Sequence, residues 1–332
     1  MKKLVSLLMI STMALSMVAC GAKDSSSKGE DADAAAKDGY NIGVVQLVQH
    51  PALDAATEGF QAAVEEKLGD KVTVTIDNAA GDSATCSTIA NQFVADGVDL
   101  IMANATPALQ AAVTATADIP IVGTSVTDYG TALSISDWKG TTGMNVTGTA
   151  DLAPLDGQAD MLKELFPDAK EVGIIYCSAE PNSLYQADTI TAYLEKAGYT
   201  VSTYTFADTN DIASVVKSAC DASDVLYVPT DNTAASCAET ISGVAIPAGI
   251  PIIAGEEGIC SGCGVATLSI DYYDIGYQAG LMAVEILENG KDPATMEIEY
   301  APKFEKKFNK DICDELGVKV PSDYVAIEKE AE

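Results

Sequence analysis

Positive charge is scarce in this chain. Lys and Arg total 19 against 49 Asp and Glu, a formal net charge of −30 over 332 residues. Such a surface repels phosphate backbones and excludes nucleic acid as a partner. There is one histidine, His50. A Ser–His or Cys–His nucleophile system would have to use that loop residue beside a proline, and no GxSxG elbow accompanies it. No GxGxxG follows the first strand-like run and no GxxxxGKS/T occurs, so dinucleotide and P-loop chemistry lose their usual handles. Cys260-Ser-Gly-Cys263 has the spacing of a metal knuckle, but there is no second CxxC to complete a zinc site. It reads as a loop disulfide or as two ordinary thiols. No cofactor and no metal are expected.

Residues 1–19 read as a signal peptide, with Lys2 and Lys3 ahead of the apolar run Leu4–Met17. Ala19-Cys20-Gly21 resembles a lipobox, so Cys20 is the expected lipidation site and membrane anchor. Without Lys2 and Lys3, 17 bases face 49 acids and the net charge becomes −32. Residues 20–39 are rich in Ser, Ala and charge, lack large apolar residues, and read as a flexible tether.

From Tyr40 the pattern is α/β. Asn41–Leu47 is a buried strand, and Pro51 opens an amphipathic helix at a position proline favours. Further strands are expected at 71–78, 98–103 and 121–123, alternating with helices, which argues for a right-handed parallel array. At 141–150 the periodic pattern gives way to Gly, Thr and Asn, and a second array follows, with strands at 171–176, 199–206, 224–228 and 250–254. A strand at 265–270, a long helix at 272–288 and an extended piece at 296–300 imply that the chain recrosses near Ile270 and Tyr300. The expectation is two Rossmann-like lobes joined by a multi-strand hinge: 40–149 plus about 271–297, and 150–270 plus about 298–325.

Five strand-end loops are rich in small polar groups: 46–50, 104–106, 124–128, 178–183 and 230–232. Ligands of open α/β sheets bind at such ends. Ser178–Ser183 and Thr106–Pro107 lie where helices begin, and their free N–H groups suit a carboxylate. Asp231 follows the apolar strand DVLYV, where an ammonium group would complete it. Alternatively, Thr106, Ser183, Asn232 and Asp231 act only as helix caps. Asp231 and Asp271 also leave open an acid/base pair.

IGVVQLVQHPALDAATEGF, ANATPA, GTSVTD, GMNVTG, EPNS, YVPTDN and LSIDYYDIGYQAG occur in an order that resembles one family of ABC transporter substrate-binding proteins. That family is similar to TrpX-type tryptophan- and tyrosine-binding lipoproteins, and the match spans 41 to about 321. The resemblance implies a periplasmic-binding-protein type I fold. It also implies an extracytoplasmic, lipid-anchored, non-enzymatic protein delivering a small ligand, an aromatic amino acid, to an ABC permease and its ATPase. Carried over, Thr106, Ser178, Asn182 and Ser183 would hold the ligand carboxylate. Asp231, supported by Thr230 and Asn232, would take its ammonium, and Gln46, His50 and Asp128 would line the other side. Tyr129, Tyr176, Tyr185 and Tyr227 are the aromatic candidates for stacking, with core packing the alternative for Tyr176 and Tyr227. Trp138 carries no functional weight. Two other readings are an exported enzyme of this fold using carboxylates, and a surface sensor or adhesin.

Overall fold

A computed structural model describes residues 39–328. The signal segment, Cys20 and almost all of the tether lie outside them. Among the described residues no helix is long and apolar enough to cross a membrane.

The first array runs β1 (Tyr40–Gln46), α1 (Pro51–Leu68), β2 (Val72–Asn78), α2 (Ser83–Asp96), β3 (Leu100–Asn104), α3 (Thr106–Ala115), β4 (Ile121–Val126), α4 (Tyr129–Ala132) and β5 (Val146–Ala150). The second runs α5 (Leu155–Leu165), β6 (Glu171–Cys177), α6 (Pro181–Ala197), β7 (Thr200–Phe206), α7 (Ile212–Cys220), β8 (Val225–Val228), α8 (Asn232–Ser236), α9 (Ala238–Ala245), β9 (Ile252–Ala254), α10 (Glu257–Cys263) and β10 (Ala266–Ser269). The tail adds α11 (Tyr272–Asn289), β11 (Glu299–Tyr300), β12 (Glu305–Phe308), α12 (Lys310–Leu316) and β13 (Val325–Ala326).

These strands form two sheets, ordered β11-β5-β4-β3-β1-β2 and β13-β12-β10-β9-β8-β6-β7. Every pairing is parallel except β10 with β12. The chain passes between the sheets after β5, between β10 and α11, and between β11 and β12. These three neighbouring passages are the hinge that the repeated pattern implied. Strand order reverses between β1 and β3 in one sheet and between β6 and β8 in the other. Those are the topological switch points, where loops diverge and leave a crevice.

Burial follows the sequence periods. β3 and β4 are buried along their whole length, as strands covered on both faces must be. β2 and β7 are sheet edges, so their alternating Val, Thr and Tyr residues stay largely exposed. Phe60 of α1 is fully buried with Ile42, Val44 and Ala279, a side chain worth about 1.5–3 kcal/mol removed from water. Helix α11 returns from the second sheet to lie on α1 in the first. A Cβ on Gly276 would stand 2.0 Å from the carbonyl oxygen of Ala56, and one on Gly59 would stand 2.1 Å from that of Tyr273. The two backbones meet so closely that only hydrogen fits between them.

One local reading is corrected. GEEGICSGCG, expected as a loop, contains helix α10, because Glu256 accepts hydrogen bonds from Gly258 and Ile259 and caps it. Cys260 and Cys263 are free, buried thiols on that helix. Helix α8 ends at Cys237, which in turn precedes α9.

Candidate functional site

Helix-opening loops at both switch points face one crevice. On the first sheet, His50 precedes Pro51 with extended backbone (φ −162°, ψ 162°), and Thr106 opens α3 behind Ala105 (φ 94°, ψ 158°). Ser125 also has positive φ, 54°. Non-glycine residues there are strained by about 1–3 kcal/mol, and such strain gathers at functional sites. On the second sheet, Glu180 precedes Pro181 and α6, and Asp231 caps α8. A groove of about 250 Å³ between them is walled by Leu47, Val48 and Pro107 on one side and Cys177, Glu180 and Asn232 on the other.

The second-sheet loops are tied by carboxylates. Asp231, 1% exposed, accepts from the backbone N–H groups of Cys177 (2.7 Å) and Ala234 (2.7 Å). Glu180 accepts from the Thr233 N–H (2.8 Å) and hydroxyl (2.7 Å), from the Asn232 N–H (3.0 Å) and amide (2.7 Å), and from the Asn182 amide (3.2 Å). Because Asn232 gives its amide hydrogens to Glu180, its Oδ1 faces His50 Nε2 at 3.3 Å across the crevice. His50 Nε2 therefore carries the proton and Nδ1 is an acceptor. Burial pushes the imidazole below its ordinary range, so it is neutral; the Asn232 bond and the carboxylates of Glu180 and Asp54 oppose this. A second bond crosses the crevice from Gln186 Nε2 to Thr127 Oγ1 (3.4 Å). Gln186 also fixes Thr230, accepting from its N–H and donating to its carbonyl (3.1 Å each).

At the hinge, Asp151 Oδ2 accepts from the Tyr272 hydroxyl at 2.9 Å, the Thr127 side chain also favours its charged form, and its Oδ1 has no hydrogen-bond partner. Five other buried side-chain atoms in these strand-end loops also lack partners: His50 Nδ1, Asn104 Oδ1, Thr106 Oγ1, Ser125 Oγ and Asn182 Oδ1. Each such group costs about 1–3 kcal/mol if left unmade, and native interiors seldom tolerate several together. They come from the carboxyl ends of β1, β3, β4, β5 and β6, and so from both lobes.

A family model described as ABC transporter substrate binding protein matches residues 41–331. The chain belongs to that family. It is 38% identical over 322 residues, 96% of this chain and 93% of the relative, to a tyrosine-binding protein of Clostridioides difficile. Its fold matches a Streptococcus pneumoniae ABC domain in complex with L-Trp, with TM-score 0.81, 36% identity and coverage of 86% of this chain and 96% of that one. A ligand-free, open substrate-binding protein with adhesive properties from Clostridium difficile matches with TM-score 0.67 and 36% identity, over 88% of this chain and 100% of that one. A 5-methylthioribose-binding protein of Thermotoga lettingae shares only the fold, at 15% identity and TM-score 0.60, over 82% of this chain and 86% of that one. This is a family of extracytoplasmic binding proteins, not of enzymes; the periplasmic-binding-protein fold is the one the resemblance implied, and its two lobes are those expected from the repeated array.

Within this substrate-binding fold the expected site residues divide. His50, Thr106, Asn182, Ser183, Thr230, Asp231 and Asn232 are buried in the crevice loops. Gln46 is buried within the first lobe, accepting from Thr57 (2.7 Å) and donating to Asp54 (2.5 Å), which pins α1 to β1. Asp128 caps α4 through the Thr131 N–H (2.6 Å). Ser178 is exposed and donates to the Phe206 carbonyl (3.2 Å). Among the aromatic candidates, Tyr129, Tyr176 and Tyr227 are core residues. Tyr129 stacks on Trp138 with centroids 6.5 Å apart, so Trp138 packs the first lobe. Tyr185 is half-buried on α6.

Ser125, Thr127, Asp151, Glu180, Gln186 and Tyr272 were not singled out from sequence. Glu180 had a usable signal: it immediately precedes a proline that opens a helix, the position of a cap. Asp151 had none, since its significance lies in an oxygen that folding leaves bare.

Two predictions arise here. Burial raises Asp151 to about 6, Glu256 to about 7 and Asp231 to about 8. The folded chain then holds protons that the unfolded chain has released. Stability of the unliganded protein should therefore fall as pH rises from 5 to 8, by up to about 1.4 kcal/mol per pH unit for each group within its window. Neutral buried His50 acts in the opposite direction below about 6.5, its ordinary range. Denaturant unfolding at stepped pH measures the slope; stability rising across 6.5–8 would contradict it. Secondly, His50→Ala removes a crevice-crossing bond worth about 1 kcal/mol. Small-angle scattering of the unliganded variant should show a larger radius of gyration, and ligand affinity should drop about five- to tenfold.

Proposed function

We propose that this protein captures an aromatic amino acid, Tyr, Trp or Phe, between its lobes and delivers it to an ABC permease and its ATPase. In this reading it stays at the outer face of the membrane through lipid on Cys20, with residues 20–39 as tether. The observation that carries the reading is that strand-end loops of both sheets hold buried polar atoms without a partner and meet across the crevice through His50–Asn232 and Gln186–Thr127. The ligand class is supported by the tyrosine-binding and L-Trp-complexed relatives. At equal identity the chain superposes better on the L-Trp complex than on the ligand-free open relative. Its lobes are also bridged by His50–Asn232 and Gln186–Thr127. Both observations fit the closed partner of a hinge equilibrium that ligand would bias. Thr106 and Ser125, beside the start of α3, would donate to the ligand carboxylate. His50, Asn182 and Thr230 would bound the pocket, with Ser183, Asp231 and Asn232 setting its shape from behind. Mass analysis of small molecules released from natively purified protein tests this. An aromatic amino acid at near-equal amount is expected; a sugar or a nucleoside in its place would overturn the reading.

A further inference from the structure

All 19 basic residues of this sequence are lysine; it contains no arginine. No described lysine is buried. The two most enclosed, Lys306 and Lys307, are engaged outside the crevice by Glu164 and Asp323 and by Glu257 and Glu305. Four carboxylates, by contrast, are buried among the described residues: Asp151, Glu180, Asp231 and Glu256. Three have both oxygens engaged, Glu180 by five donors, and Asp231 and Glu256 by two backbone N–H groups each. Asp151 alone keeps an oxygen without a partner.

The six unpaired atoms of these loops also differ in kind. Asp151 Oδ1, Asn104 Oδ1, Asn182 Oδ1 and His50 Nδ1 can only accept, given that Asn104 Nδ2 donates to Leu53 and Thr57, that Asn182 Nδ2 donates to Glu180 and to the Thr230 carbonyl (3.1 Å) and that His50 carries its proton on Nε2. Only the hydroxyls of Thr106 and Ser125 can donate. A ligand satisfying this set must bring more hydrogen than it takes, and among the described residues no lysine is buried to compete with a positive charge on it.

We propose that recognition is led by the ligand's ammonium group, with Asp151 as its counter-ion, and that the ligand carboxylate is secondary. The pocket therefore takes aromatic ethylamines as well as aromatic amino acids, and rejects the corresponding deaminated acids. This rests on the aromatic amino acid reading for the ring, but not for the charge. Charge-assisted bonds are about twice as strong as neutral ones. A carboxylate held only by hydroxyls and helix N–H groups, without arginine, contributes less. Asp151 is also where closure can be sensed: it follows β5 at a lobe crossing and is held by Tyr272 at the next crossing. The titratable groups facing it are Glu180, Glu256, Tyr129 and Tyr272, and burial raises it to about 6.

Titration with L-tyrosine, tyramine and 3-(4-hydroxyphenyl)propionate tests this, with the tryptophan and phenylalanine series run alongside. Tyramine should bind within about thirtyfold of tyrosine and the propionate at least a hundredfold more weakly. Asp151→Asn should lower the affinity for amino acid and amine alike by a hundredfold or more. If that variant does not fold, the wild-type pH profile decides. Amine affinity should fall by up to tenfold per pH unit below about 6 as Asp151 takes up a proton. A propionate that binds as well as the amine, an Asp151→Asn variant that keeps its affinity, or a flat profile would overturn the proposal. Should no amino acid bind, the ligand reading above fails. The amine arm still decides this one, because retained amine binding lost in Asp151→Asn upholds it and absent amine binding ends it.

Discussion

Gly276→Ala is expected to destabilise the protein by about 3 kcal/mol or more, the upper end for overpacking a well-filled interior. The added methyl would stand 2.0 Å from the Ala56 carbonyl oxygen and 2.7 Å from its Cα. These are backbone atoms in the middle of α1, so no side chain can rotate away, and the helices must separate. Their separation would move Tyr272, the first residue of α11, and with it the bond that orients Asp151. Affinity should therefore fall with stability. Gly243 in α9 is the control, because a Cβ there meets nothing within 4 Å. Gly243→Ala should stabilise by about 0.8–1 kcal/mol through helix propensity alone. Urea unfolding of both variants checks the pair, and equal effects would contradict the close-packing account.

Asp231→Ala should cost about 3 kcal/mol, by a different route. The substitution deprives two buried N–H groups, of Cys177 and Ala234, of their acceptor. One orphaned donor costs about 1–3 kcal/mol, and a lost N-cap typically about 1 kcal/mol. Helix α8 carries Asn232, so the bond to His50 should loosen and ligand binding weaken as well. The pH dependence separates this role from direct contact with ligand. Burial, aided by Glu180, raises Asp231 to about 8, so the native form prefers the protonated carboxyl. The wild-type advantage over Asp231→Ala should be largest near pH 5 and shrink as pH rises through 8. An advantage that grew with pH would mean that the ionised form is the stabilising one.

Much of the architecture could be read from the chain itself because its signals are local. Pro51 and Pro181 open helices, Gly97 and Gly198 close them in left-handed backbone, and the buried strands are short apolar runs bounded by turns. Helix α10 escaped because its glycines argue against helix, while the cap that secures it, Glu256, is a residue usually placed in solvent. The site was legible only as a set of loops. Sequence patterns place Asp231, Asp151 and Glu180 equally at strand ends. Which carboxylate is already satisfied depends on backbone N–H groups from Cys177, Asn232 and Thr233, brought together only by the second sheet. Asp231 thus drew the ammonium role on its apolar setting, whereas the bare oxygen belongs to Asp151. Gln46 is buried and holds α1 through Asp54 and Thr57, while Asp128 caps α4; neither role is visible in the spacing of the sequence.

The most direct test is calorimetric titration of the protein, freed of bound ligand by unfolding and refolding, with L-tyrosine, L-tryptophan and L-phenylalanine at pH 7.5. The account predicts saturable heat at one site per chain for at least one of the three, with a matching rise in melting temperature. No heat and no thermal shift with any of them would contradict it.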